Sequence, residues 1–271
     1  MNLNFSTDII NIEDKKLKLK IKKVLNKYLK ESLKGNKVAF YYEAINNSTI
    51  LSFNEEKCFY AASSVKIIVC LLMFEKALKN EIDLNKEILI TKKDLKQGTG
   101  IIKLQEKDTK YSLLELIKLC IVESDNTAYL KLVNLIGKEK LAEYGRSLGA
   151  KHTMEGKETD SFGIINCQDM IIYWKKIIEF INKKNKYSLI FEEFLTSTTT
   201  KLINEKIFVP NKFLRKYGSY GIAYHEAGYV NGENPYYLII LTQLNKCKYK
   251  ENFLNYTAKI INEIHKYINS K

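Results

Sequence analysis

The chain is expected to fold as α+β, with an antiparallel sheet of five strands flanked by helices and an all-helical lobe beside it. Three observations predict this. Strand-like runs sit at both ends of the sequence, helical spacing dominates the middle, and the late strands are separated by short Gly and Asn turns that suit an antiparallel meander. A length of 271 residues with 45% hydrophobic content is enough to bury a sizeable core as one unit. Within residues 1–271, an α/β lobe is expected from about 14–62 plus 190–271, and a helical lobe from about 63–189.

Residues 14–34 carry Leu17, Ile21, Val24, Leu25 and Leu29 at helical spacing within the densest lysine run, Lys15 to Lys30, and Gly35 ends the segment. This is an amphipathic helix with a solvated face. Residues 37–45 and 49–53 read as a hairpin about Asn46-Asn47-Ser48, which delivers the chain to Ser63. From Val65 to about Ile181 helical spacing prevails. Val65 to Phe74 is almost wholly apolar and suits an interior helix. Ser112, with Glu115 three residues on, caps a helix over 113–122. Ala128 to Ile136 is a further apolar segment stopped by Gly137, a loop spans Gly149 to Asn166, and a helix runs from about Gln168 to Ile181. Strands follow at Phe213–Tyr217, Gly221–Val230 and Tyr236–Thr242, and a last helix spans about Glu251 to Ile268. Strands from both termini therefore complete one sheet.

Net charge is +13, yet the lysines are spread along the chain, with no compact basic tract interleaved with stacking aromatics and no zinc spacing. Nucleic-acid binding is not expected. No stretch approaches the roughly 20 apolar residues of a membrane span, so no stable membrane insertion is expected. Met1 to Phe5 lacks the order of a signal peptide, which leaves two locations open: inside the cell, or outside it with the leader removed. Cys58, Cys70, Cys120, Cys167 and Cys247 are dispersed without a CxxC, against a disulfide framework. With neither a metal-ligand cluster nor a nucleotide-binding glycine loop, no cofactor is expected, and the chain is expected to be a monomer.

The chemistry concentrates in Ser63-Ser64-Val65-Lys66. One helical turn separates Ser63 from Lys66, which sets a nucleophile beside an amine, and burial at the mouth of an apolar helix lowers the amine's pKa toward that of a base. Ser124-Asp125-Asn126 ends the helix that begins at Ser112, and Lys216-Tyr217-Gly218 closes a late strand. In this SxxK, SDN, KxG series the sequence resembles the penicillin-recognising serine enzymes, most closely class A β-lactamases. KxG alone is weak, since Lys96-Gln97-Gly98 also fits it. Gly98-Thr99-Gly100 resembles a turn those enzymes carry before the SDN helix, and Cys70 a cysteine found in many of them.

The resemblance implies an α/β lobe and a helical lobe with the cleft between them. It implies Ser63 as the acylated nucleophile, Lys66 as its base partner and Ser124 as proton shuttle to the leaving nitrogen. Asn126 would bind the substrate's side-chain amide, Lys216 its carboxylate, and the backbone N–H groups of Ser63 and Ser219, just past Gly218, the oxyanion. Two departures stand out. Tyr217 takes the place of a short hydroxyl that grips the substrate carboxylate, and His225 falls about where relatives place a carboxylate-binding Arg, a role it would take only as imidazolium, the alternative being a histidine satisfied within the fold. The family's ExxLN glutamate, which activates the deacylating water, has no clear counterpart. Glu81 to Asn85 and Glu251 to Asn255 fit the pattern but lie outside the SDN–KxG interval, which leaves Glu155 and Glu158, of which Glu158 is the candidate. The expected activity is β-lactam hydrolysis, slow if no glutamate is placed. The alternatives are a D,D-peptidase acting on cell-wall peptides, or a β-lactam or peptidoglycan sensor that acylates and stalls.

Overall fold

In the computed structural model, which describes residues 7–156, 162–245 and 250–270, the short β1 (Asp8–Ile10) leads into α1 (Lys15–Ser32). The helix begins where the Asp14 carboxylate accepts from the N–H groups of Lys16 and Leu17. The hairpin follows as β2 (Lys37–Ala44) and β3 (Ile50–Phe53). The two-residue β4 (Phe59–Tyr60) and a 3-10 turn (Ala62–Val65) bring the chain to α2 (Lys66–Leu78). Next come β5 (Glu87–Ile90), β6 (Thr109–Ser112), α3 (Leu113–Val122), α4 (Asn126–Ile136) and α5 (Lys138–Ser147). After β7 (Ile164–Ile165), α6 (Cys167–Asn182) and α7 (Lys186–Thr196), the meander is β8 (Lys212–Tyr220), β9 (Ala223–Asn231) and β10 (Tyr236–Gln243). The last helix is α8 (Lys250–Ile268).

The main sheet is antiparallel in the order β1-β3-β2-β10-β9-β8. Its seam is the pairing of β2 with β10 from Lys37↔Gln243 to Ala44↔Tyr236, so the two ends of the chain do complete one sheet. Side-chain alternation in β2 divides the core in two. Phe40, Tyr42 and Ala44 pack with α1 and α8, whereas Ala39 and Tyr41 face the helical lobe. Tyr28 Oη and Thr257 Oγ1, 2.7 Å apart, join α1 to α8 inside the first core. In the second, α2 is the central rod, buried at every residue from Lys66 to Phe74 as its apolar run requires.

Two features depart from the expectations. Described residues form six strands in the main sheet rather than five, because Asp8–Ile10 adds to the hairpin edge with Asp8 opposite Ser52. The middle of the chain is also not purely helical, since β5 pairs with β6 and β4 with β7. Strands of two and four residues are too short to leave a periodic signature.

Candidate active site

Ser63 sits in the 3-10 turn before α2, and Ala62 enters that turn at φ +47°, a left-handed conformation costly for a residue with a Cβ. Ser64 N and Oγ both bond back to Ala61 O, at 3.2 and 2.6 Å, and fix the turn. The edge strand β8 passes directly over it. A Cβ on Gly218 would lie 2.8 Å from Ser64 N and 2.9 Å from Ala61 O, so only glycine lets the strand come this close. The third motif is thereby pressed onto the first.

The second motif is a turn between helices rather than a helix end. α3 stops at Val122, Ser124 adopts φ +53°, and Asp125 caps α4, its Oδ1 accepting from Ala128 N at 2.9 Å. Lys66 Nζ reaches across to this turn. It donates to Ser124 O, to Ser124 Oγ at 3.2 Å and to Asn126 Oδ1 at 2.8 Å. Three acceptors use all three N–H groups of an ammonium. None of its hydrogen bonds goes to Ser63, one helical turn away. Burial lowers the Lys66 pKa to about 8, with Cys120 and Asp125 opposing the shift.

Lys216, on β8, is fully buried and its Nζ has no hydrogen-bond partner among the described residues. Burial first, and the Lys66 charge second, bring its pKa down to about 7. The ring of Tyr217 lies with its centroid 4.4 Å from that Nζ.

Ser63, Asn126 and Ser219 line one cleft of about 740 Å³ with Lys96, Gln97, Gly98 and Thr99. Tyr60 and Tyr220, ring centroids 5.6 Å apart, give it an aromatic wall. Lys66, Ser124 and Lys216 are buried and do not line it. The 96–100 loop is interlocked with the SDN turn. Asn126 N donates to Thr99 O and Asn126 Nδ2 to Gln97 O, and Thr99 Oγ1 donates to Ser124 O at 2.7 Å. Gly98 and Gly100 have φ of +101° and +108°, and Cβ atoms there would strike Asn126 Nδ2 and Asp125 Oδ2. Thr99 is the residue that reading for chemical groups passes over. Its signal is the Gly-Thr-Gly turn.

His225 does not enter the cleft, which corrects the expectation of a carboxylate ligand. It is fully buried, its Nε2–H donates to Tyr60 O at 2.8 Å, and its Nδ1 accepts from Thr242 N at 3.0 Å. Burial lowers its pKa to about 4, so the ring is neutral near pH 7 and fastens β4 to the sheet. Tyr217 is likewise buried outside the cleft lining, in the core that packs with α1 and α8, with Lys216 Nζ against its ring. Glu155 holds its carboxylate against His152 Nδ1, more than half exposed and away from the lining. Glu158 lies outside the described residues. No carboxylate belongs to a described residue lining the cleft, where Phe162 stands instead, its ring centroid 5.6 Å from Lys66 Nζ. Among the described residues no His, Cys, Asp and Glu cluster is suited to a metal, and no helix is long and apolar enough to cross a membrane.

A model of the β-lactamase enzyme family matches residues 16–269. No curated protein matches the chain in sequence. Among solved structures, a point variant of PBP-A captured as an acyl-enzyme with penicillin G aligns with a TM-score of 0.81 at 16% identity, covering 90% of this chain and 97% of that one. A class A β-lactamase representative from Bacteroides cellulosilyticus aligns at 0.76 with 23% identity, covering 94% and 99%. A β-lactamase from Sphaerobacter thermophilus aligns at 0.77 with 18% identity, covering 90% and 96%.

Proposed function

The chain belongs to the β-lactamase enzyme family, and within that family of serine hydrolases acting on β-lactam amides we propose that Ser63 is the acylated residue. The observation that carries this reading is the reach of Lys66 from the Ser63 turn to both Ser124 and Asn126. As an ammonium, Lys66 has no lone pair to offer. Loss of one proton frees it to accept Ser63 Oγ–H, and the freed alkoxide attacks the lactam carbonyl. The backbone N–H groups of Ser63 and Ser219 hold the developing oxyanion. The C–N bond then breaks, and Ser124 passes a proton to the departing nitrogen. Lys216, buried and with no hydrogen-bond partner among the described residues, attracts the substrate carboxylate, and Asn126 binds its side-chain amide.

Hydrolysis of the acyl-enzyme needs a base within one water of the ester. A cleft whose described lining residues carry no carboxylate supports slow release. Intact-mass spectrometry after penicillin exposure tests both halves. One adduct of the intact penicillin mass is expected on the wild type and none on Ser63→Ala, and an adduct that survives in Ser63→Ala sinks the assignment. The wild-type adduct is expected to decay slowly. Prolongation by Glu158→Gln identifies that residue as the base, and an unchanged lifetime removes it. Turnover of a D-Ala-D-Ala peptide without lactam turnover would favour the peptidase reading.

A further inference from the structure

A densely basic surface lies on the far side of the sheet from the helical lobe. Residues 15–34 hold nine lysines, all exposed, against Glu31 as the one acid in the segment. Lys16, Lys20, Lys23, Lys27 and Lys30 recur at spacings of three and four, and so form one stripe opposite the buried Ile21, Leu25, Tyr28, Leu29 and Ser32. The stripe runs about 20 Å along α1, at 1.5 Å per residue. Like charges at that spacing repel and weaken a helix. No acid on α1 relieves them, since Glu31 accepts instead from Tyr256 Oη. α8 lies alongside and meets α1 through Tyr256, Thr257 and Tyr267, with Lys20 Nζ 3.8 Å over the Tyr267 ring, while Lys259 and Lys266 turn to the groove beside the 204–207 turn.

We propose that this α1/α8 face docks on a membrane surface rich in anionic phospholipid. A planar array of phosphates matches a straight row of ammonium groups, each contributing separately to the attraction. Two further features favour lipid over a nucleic acid. Leu19, 70% exposed, lies on the same ridge as Lys16 and Lys23, where it is placed to enter the headgroup region once the lysines dock. Tyr267, 43% exposed, is an interfacial aromatic beside Lys20. The row also lacks arginine, the residue that most often reads base edges. Because α1 and α8 cover the opposite face of the sheet from the helical lobe, docking leaves the cleft mouth free.

The test is sedimentation of the whole protein with vesicles. Binding is expected to mixed phosphatidylglycerol–phosphatidylcholine vesicles, to fall with added salt, and to be absent with phosphatidylcholine alone. Lys16→Gln/Lys23→Gln/Lys30→Gln is expected to weaken it about a hundredfold, roughly fivefold per lysine, and Leu19→Ser to weaken it less. Both variants should keep the wild-type circular dichroism and Ser63 adduct formation, which separates a docking defect from misfolding. Equal binding to neutral vesicles, unchanged binding by the triple variant, or tighter binding to duplex DNA at equal phosphate would each overturn the proposal.

Discussion

Lys66 and Lys216 are enclosed between the sheet edge and the helical lobe, while the lysines of α1 stand in water, and the same ammonium group behaves oppositely in the two places. On α1 the charge is solvated and the side chains snorkel outward from an apolar body. Around Ser63 the charge is dehydrated, which lowers the two pKa values to about 8 and about 7. Enclosure is what turns a lysine from a solubilising group into a candidate base and a candidate anion receptor.

The sharpest way to break that contrast is Lys66→Met, which keeps the volume and removes the amine. Stopped-flow acylation by a chromogenic lactam is expected to slow roughly a thousandfold or more. Lys216→Met should slow it by about a hundredfold, as for a lost electrostatic contact. It should also raise stability by about 1–3 kcal/mol, because the amine it removes is buried with no hydrogen-bond partner among the described residues. A variant that is slower but not more stable would mean that Lys216 is already neutralised in the fold. Gly218→Ala attacks the enclosure itself. Pushing β8 off the Ser63 turn is expected to cost about 1–3 kcal/mol in a denaturant titration, with acylation falling alongside.

pH sharpens the comparison further. The maximal acylation rate should climb as Lys66 loses its proton, levelling above pH about 8, while half-saturation by an anionic lactam should worsen above pH about 7 as Lys216 loses its charge. Burial places the folded pKa of Lys216 below its ordinary value of 10.5, so the unfolded chain binds more protons between pH 7 and 10.5. Stability from this group therefore rises with pH across that window, and the slope should shrink in Lys216→Met. Smallest of all, Lys27→Gln on α1 is expected to change stability by less than about 0.5 kcal/mol.

Much of this was legible in the sequence because the three motifs are short and locally determined. A single helical turn dictates the spacing of Ser63 and Lys66, and Gly218 declares a close backbone approach. The five strands expected and the central apolar helix followed from periodicity. His225 stayed open between a ligand and a histidine satisfied within the fold, because counting residues along a strand finds its neighbour, Gly218, but not the carbonyl of Tyr60 and the amide of Thr242 that absorb its ring. The place of Tyr217 in the motif likewise says nothing of where its ring turns, which is into the core that packs with α1 and α8. β1 and the β4–β7 and β5–β6 pairs were missed because two to four residues carry no period.

Asp125 caps α4, accepts from Ile102 N at 2.8 Å and fills the space where a side chain on Gly100 would be, while Asn126 is tied in the same way to Gln97, Thr99 and Gly98. The entrance is thus a keyed joint with no slack on either half. Enlarging it to admit bulkier acyl groups requires matched replacements on the loop and on the helix start together, so selection for a wider diet would proceed through pairs of compensating changes rather than single steps.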